Sequence, residues 1–148
     1  MPHTSSNVLV HLIFSTKQRG RLIEPDLKGG LFAYMGGIIR EMHGVALIVN
    51  GTDDHVHLLI RVPPVLGIAE VTRVLKANSS RWVHEKWVDH REFAWQTGYG
   101  AFSESSVPAV MKYIAEQEEH HQKRTFQEEY LEFLRKNHVV FDEKYLWD

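Results

Sequence analysis

The sequence contains no cysteine among its 148 residues. A disulfide framework, a zinc site with thiolate ligands and a cysteine nucleophile are therefore excluded, and nothing indicates an oxidising compartment. The chain also has no run of about 18 apolar residues and no basic stretch leading into an apolar one, which are the patterns typical of a membrane span and of a signal peptide. We therefore expect a soluble cytoplasmic protein.

The chain also lacks the basic excess that is typical of proteins with a strong, sequence-independent attraction to nucleic acid. Its formal net charge is −2. Much of the acidic charge lies near the end of the chain, however, and this leaves two basic groups that predict a local positive surface. These groups comprise Lys17, Arg19 and Arg21 after the first predicted strand, and Arg73, Lys76 and Arg81 after the third.

Two histidines separated by one apolar residue occur within residues 54–60, which read DHVHLLI. In a strand, His55 and His57 project from one face while Val56 points to the other. Two imidazoles on one face make half of a site for a divalent metal ion. Because the same spacing also occurs in strands whose histidines bind nothing, this pattern needs a second element before it can be assigned.

That second element is a predicted helix over residues 107–124, with Pro108 in its first turn. Tyr113 and Gln117 are four residues apart and therefore share one face of this helix. A helical tyrosine is more often a packing residue than a nucleophile. Combined with two imidazoles, however, the pair suggests a cation held by imidazole and amide ligands, beside a tyrosine that attacks phosphorus. Glu116 is an alternative ligand if Gln117 faces away.

Several segments, taken in order, resemble the single-tyrosine HUH (histidine–hydrophobic–histidine) transposases of the insertion-sequence-200 type, including their REP-associated relatives. The segments are residues 11–17 (HLIFSTK), 54–60 (DHVHLLI) with Pro63 and Pro64 following, 75–80 (LKANSS), 98–103 (GYGAFS) and 112–117 (KYIAEQ). They fall within about residues 7–124, most of the chain. The ordered combination is more specific than any single motif.

This resemblance implies that Tyr113 is the nucleophile and that His55, His57 and Gln117 hold a divalent metal ion, Mg²⁺ or Mn²⁺. It implies a partner, single-stranded DNA with hairpin ends, that is cut and rejoined through a 5′-phosphotyrosine. It further implies a homodimer, with active sites completed either in cis or in trans. We predict that the two basic groups contact the backbone of the DNA.

The predicted element order is β-α-β-β-α-β followed by further helices. The strands are expected at about residues 8–15, 45–50, 55–62 and 99–103, and the helices at about 26–42, 69–85, 107–124 and 126–136. This order predicts an α+β, ferredoxin-like antiparallel sheet with two helices on one face, its first and third strands central, and the tyrosine helix across the other face. We expect one domain over residues 1–148, with a core at about 7–124 and a helical extension at about 125–148 that is assigned no chemistry.

Two other functions use the same residues differently. A non-catalytic, ferredoxin-like regulator that binds nucleic acid would retain vestigial histidines and bind its target without metal. A metal-dependent phosphodiesterase would activate water, leave Tyr113 structural and form no covalent adduct. Neither accounts for the order and spacing of Tyr113 and Gln117, so a strand transferase is favoured; whether it belongs to a mobile element or to a host-retained REP-type system is left open.

Overall fold

The computed structural model describes residues 5–148, which form a four-stranded antiparallel sheet and five α-helices. The strands are β1 (Leu9–Ser15), β2 (Val45–Gly51), β3 (His55–Arg61) and β4 (Gly100–Ser103). The helices are α1 (Pro25–Glu41), α2 (Ile68–Lys86), α3 (Val107–Ala115), α4 (Gln117–His120) and α5 (Phe126–Lys136). The strand order β2-β3-β1-β4 places β1 and β3 in the centre, and the predicted ferredoxin-like α+β fold is confirmed. Within residues 5–148, none of the helices combines the length and the apolar character that a membrane crossing requires.

The two faces of the sheet bury different sets of side chains. On one face, residues such as Leu12 and Leu58 pack against α1 and α2 in the main hydrophobic core. On the other face, Ile13 packs against α5 in a second, smaller apolar cluster. Because successive side chains of a strand point to opposite faces, His55 and His57 lie on this second face, and both are fully buried.

The prediction of a single helix over residues 107–124 is wrong in one respect. The chain forms two helices there, α3 and α4, with a break at Glu116. The side chain of Asn50 on β2 donates hydrogen bonds to the last carbonyls of α3, at 3.0 Å to Ile114 and 3.3 Å to Ala115. These bonds satisfy acceptors that a helix leaves open at its C-terminal end. The break makes Gln117 the first residue of α4, where its side chain is fully buried.

Gly51 closes the β2–β3 hairpin that presents His55, and its position leaves no room for a side chain. A Cβ atom there would lie 2.2 Å from the carbonyl oxygen of His55 and 2.9 Å from the Cα of Val56. We expect Gly51→Ala to lower the free energy of unfolding by about 2–4 kcal/mol, because the backbone must move to relieve the overlap. The matched control is Gly29→Ala in α1, where a Cβ meets nothing within 4 Å. Urea denaturation followed by circular dichroism separates the two, and a Gly51→Ala protein as stable as the wild type would contradict the expectation.

Candidate active site

The two histidines of β3 are oriented by hydrogen bonds to the ring nitrogen that faces away from their common centre. Nδ1 of His57 lies 2.7 Å from Nε2 of His11 on β1, and Nδ1 of His55 lies 2.7 Å from a carboxylate oxygen of Asp54. Partners of this kind fix the ring orientation and the tautomer of metal-binding histidines. Both Nε2 atoms are therefore directed into the space between the sheet and the helices α3 to α5.

A buried carboxylate from α5 lies in the middle of this space. One oxygen of Glu129 is 3.0 Å from Nε2 of His57, 3.0 Å from Nε2 of His121 and 3.8 Å from Nε2 of His55. Its other oxygen accepts a hydrogen bond of 3.2 Å from the side-chain amide of Gln117. The amide oxygen of Gln117 lies 3.2 Å from Nε2 of His55. Glu129 thus connects the strand histidines to both α4 and the loop that follows it.

The hydroxyl of Tyr113 reaches the same carboxylate. It donates a hydrogen bond to Glu129 and accepts one of 3.2 Å from the guanidinium of Arg124. The phenol ring is half-buried and stacks on His120, with the ring centroids 4.5 Å apart. Burial and the negative charge of Glu129 raise the pKa of Tyr113 well above its usual value, while Arg124 opposes this shift. In this arrangement the phenol is protonated at neutral pH.

The charge states of His57 and Glu129 suit a cation site. Burial lowers the pKa of His57 to about 3, so its imidazole is neutral, which is the form that binds metals. Burial alone would raise the pKa of Glu129, but hydrogen bonds with His121 and His57 outweigh it and hold that pKa well below the usual range. A neutral imidazole from His57 and an ionised carboxylate from Glu129 are ligands that divalent cations accept.

The distances also fit a metal ion. His55, His57, His121 and Glu129 each offer one ligand atom, and these atoms all lie within 4.8 Å of one another. Ligand atoms that share a cation at about 2.1 Å lie about 3 Å apart when they are adjacent in an octahedral shell. The 3.0 Å separations of His57 and His121 from Glu129 are therefore close to those of a coordination sphere, and the buried cluster is able to bind a divalent metal ion.

The structure brings together Tyr113, His55, His57 and Gln117, the four residues assigned to the site from the sequence. Glu116, the alternative ligand, is not part of the buried cluster of imidazole and carboxylate groups.

The second predicted basic group lies away from this cluster, because α2 packs on the opposite face of the sheet. Arg73 is paired with Glu70, and Arg81 donates to Asn78. Nζ of Lys76 donates hydrogen bonds to the carbonyls of Gln96 at 2.9 Å and Thr97 at 3.2 Å, and burial lowers the pKa of Lys76 to about 8.

In the first predicted basic group, Arg21 lies 3.6 Å from Asp53 and Arg19 lies over the ring of Trp147, while Lys17 is exposed. Contact of either group with DNA stays a prediction.

The site also contains residues that the sequence analysis did not assign. Glu129 was missed because no chemistry was expected after residue 125. The available signal is its position within α5, since Phe126, Tyr130 and Phe133 form an apolar helical stripe and an acidic residue at position 129 falls on that stripe. The other unassigned members are His11, His121 and Arg124.

Comparison with known proteins places this sequence and fold among transposases. Residues 4–117 match the family model described as "Transposase IS200 like". The transposases for insertion sequence element IS200 of Salmonella typhimurium and Salmonella typhi are each 25% identical to the chain over 105 residues, which cover 67% of this chain and 68% of each relative.

Two solved structures share the fold. A Deinococcus radiodurans R1 protein assigned as a transposase has a TM-score of 0.62 and 22% identity, covering 79% of this chain and 95% of its own. A REP-associated tyrosine transposase bound to a REP hairpin has a TM-score of 0.56 and 9% identity, covering 85% of this chain and 75% of its own.

The sheet, the buried cluster and the adjacent tyrosine define a transposase-type domain of the class that cleaves DNA. Because the family model spans most of the sequence, the chain belongs to the IS200-like transposase family. The resemblance stated from the sequence is thereby confirmed, and DNA is the partner of this enzyme family. The match ends at residue 117, so Glu129, His121 and Arg124 lie outside the part shared with the family model.

Proposed function

We propose that the protein is a DNA strand transferase that cleaves and rejoins single-stranded DNA at hairpin-flanked ends through a 5′-phosphotyrosine intermediate. The observation that carries this proposal is the contact of the Tyr113 hydroxyl with Glu129, which itself lies against His57 and His121. The phenol of Tyr113 therefore lies at the edge of the buried cluster. In a hydrolase, the attacking water would have to occupy this position. This placement favours tyrosine attack over the phosphodiesterase alternative.

In the proposed reaction, the oxygen of Tyr113 forms a bond to the scissile phosphorus, and the bond from phosphorus to the 3′ oxygen breaks. The proton lost by the phenol is balanced by the proton that the departing 3′ oxygen takes up. Because one phosphodiester is exchanged for another, a second 3′-hydroxyl can reverse the step without ATP. Arg124, 3.2 Å from the phenol oxygen, is placed to stabilise the phenolate as it forms.

The proposed cofactor is a divalent metal ion, Mg²⁺ or Mn²⁺, held by His55, His57 and Gln117, with Glu129 and His121 close enough to join them. Such a cation acts as a Lewis acid on the phosphodiester. A set rich in imidazole nitrogen departs from the all-oxygen shell that Mg²⁺ prefers and therefore favours Mn²⁺.

The proposed substrate is single-stranded DNA with a hairpin, which is supported by the REP hairpin bound to the fold relative. The ring centroids of Tyr113 and His57 of the same chain are 6.1 Å apart, which supports a site completed in cis. A homodimer remains part of the proposal, because the related transposases are expected to act as dimers.

The test is to incubate the full chain and Mn²⁺ with hairpin oligonucleotides taken from the DNA flanking the gene, followed by denaturing electrophoresis. We expect a protein–DNA adduct that carries the label of a 3′-labelled oligonucleotide and not that of a 5′-labelled one, because the tyrosine is joined to the 5′ phosphate of the downstream fragment. Cleavage without an adduct would instead support the phosphodiesterase. Hairpin binding without cleavage, unaffected by chelator, would support the regulator.

Metal removal gives a separate prediction. We expect a chelator to abolish adduct formation, and added Mn²⁺ to restore it at a lower concentration than Mg²⁺, because imidazoles supply at least two of the ligands. Titration of the chelated protein with each metal, with adduct yield as the readout, makes this comparison. Full adduct yield in the presence of excess chelator would contradict metal dependence.

A further inference from the structure

A cavity of about 320 Å³ borders Tyr113 and is separate from the buried cluster, since none of His55, His57, His121 and Glu129 lines it. Its size is at the lower end of the range of small-ligand sites, which begins near 300 Å³. The residues that give it chemical character are His11, Glu104, Tyr113, Arg124, Glu132 and Phe133.

His11 contributes a buried polar atom to this cavity. The residue is 1% exposed, and its Nδ1 makes no hydrogen bond within residues 5–148. The nearest carboxylate oxygen, from Glu104, lies 3.7 Å away, which is longer than a hydrogen bond. A buried polar atom without a partner costs free energy, so Nδ1 of His11 is available for a ligand.

The other ring nitrogen of His11 is already occupied, since its Nε2 lies 2.7 Å from Nδ1 of His57. Nδ1 is therefore the nitrogen of this ring that is left for a ligand, and it lies next to an acceptor from Glu104. The backbone N–H of Glu104 bonds the carbonyl of Leu9 at 3.2 Å, which fixes its place beside β1.

The charges of the cavity favour a neutral ligand over a phosphate. Arg124 is already paired with Glu132 and with the hydroxyl of Tyr113. The second carboxylate, Glu104, balances the exposed Lys136. The lining side chains therefore carry no net positive charge. The ring of Phe133 stands edge-on to His11 and Tyr113, with centroids 5.2 and 5.8 Å apart, and gives the cavity an aromatic wall.

We propose that this cavity binds one nucleobase of the substrate DNA close to the scissile phosphate, with Glu104 accepting from an exocyclic amino group and Nδ1 of His11 hydrogen-bonded to a ring nitrogen of the base. This inference rests on the proposed function, because it takes the substrate to be single-stranded DNA. Carboxylates accept hydrogen bonds from base amino groups, and an unpaired base stacks readily on an aromatic ring. Adenine, cytosine and guanine carry such an amino group and thymine does not, so Glu104 selects against thymine at one position.

The test measures the binding of hairpin oligonucleotides by the full chain in the presence of Mn²⁺. The chain carries Tyr113→Phe, because this substitution prevents covalent capture of the DNA. Each nucleotide of the single-stranded part is replaced in turn by an abasic site and by each of the four bases. We expect one position at which the abasic site weakens binding about tenfold and thymine binds less tightly than the amino-bearing bases. Glu104→Gln keeps the size of the side chain but adds an amide donor that thymine can accept, so it should remove most of this discrimination. Glu92→Gln, an exposed carboxylate outside the cavity, is the matched control and should leave it unchanged.

The absence of any position whose base preference changes in Glu104→Gln would overturn the inference. It would also be overturned if a neutral methylphosphonate weakened binding where an abasic site did not, since the occupant would then be a phosphate. These readouts do not require cleavage. If no base preference depends on Glu104 but the wild type still forms an adduct, this inference alone is refuted. If the wild type forms no adduct under any condition, the proposed function is refuted.

Discussion

Replacing Tyr113 by phenylalanine is expected to abolish the covalent protein–DNA adduct, a loss of at least about a thousandfold, as is typical when a nucleophile is removed. The substitution removes only the oxygen that contacts Glu129 and Arg124. The ring that stacks on His120 remains, so the packing of α3 should be preserved. Adduct yield on denaturing gels measures the loss, and binding of the hairpin oligonucleotide, which we expect to change less than about threefold, shows that the fold is intact.

Tyr130→Phe is the control for this experiment. Tyr130 is a buried tyrosine on α5 in the smaller apolar cluster, and its hydroxyl is not among the groups that hydrogen-bond to the carboxylate of Glu129. The same atom is therefore deleted close to the site without touching the proposed nucleophile. If the adduct survived Tyr113→Phe and disappeared in Tyr130→Phe, the nucleophile would be Tyr130 and the proposal would be refuted.

The sequence predicts the fold well where local signals agree with the tertiary structure. The helix predicted at about residues 126–136 is found as α5 at Phe126–Lys136, where a capping box between Thr125 and Glu128 sets its start. The break after α3 is not predictable in this way. At this break the side chain of Asn50 bonds the carbonyl of Ile114, a contact across 64 positions of sequence.

The candidate site shows the same contrast. His55 and His57 are identifiable because strand periodicity places both on one face, and Tyr113 and Gln117 because helical spacing does the same. The position of Glu129 on the apolar stripe of α5 indicates a buried carboxylate but not its partner, since its contact with His57 spans 72 positions and no motif records it. A residue supplied by packing of a separate helix becomes visible only when the helix is placed in the fold.

Glu129 has a double effect on the site that the structure makes explicit. Its carboxylate is the anionic centre among three imidazoles, and it also accepts the hydrogen bond of Tyr113. Burial and this carboxylate both hold the phenol in its protonated form. A residue that attracts a cation therefore also keeps the nucleophile protonated, so removing its charge should lower both the affinity for the cation and the pKa of Tyr113.

Glu129→Gln is accordingly expected to lower the affinity for Mn²⁺ about 10- to 100-fold, because the amide keeps the shape of the side chain and loses the charge that balances the cation. The pKa of Tyr113 should fall towards its usual value in the same variant, since part of its upward shift comes from the carboxylate. Calorimetric titration measures the first effect. Ultraviolet titration of the phenol, with Tyr113→Phe subtracted, measures the second.

Glu128→Gln is the matched control for this prediction, because Glu128 is the exposed neighbour of Glu129 and glutamine also serves in a capping box. It should leave both the Mn²⁺ affinity and the pKa of Tyr113 unchanged. Unaltered Mn²⁺ affinity in Glu129→Gln would show that His55, His57 and Gln117 hold the metal without the carboxylate of α5. If the pKa of Tyr113 nevertheless fell in that variant, Glu129 would be identified as a residue that positions the nucleophile through its hydrogen bond.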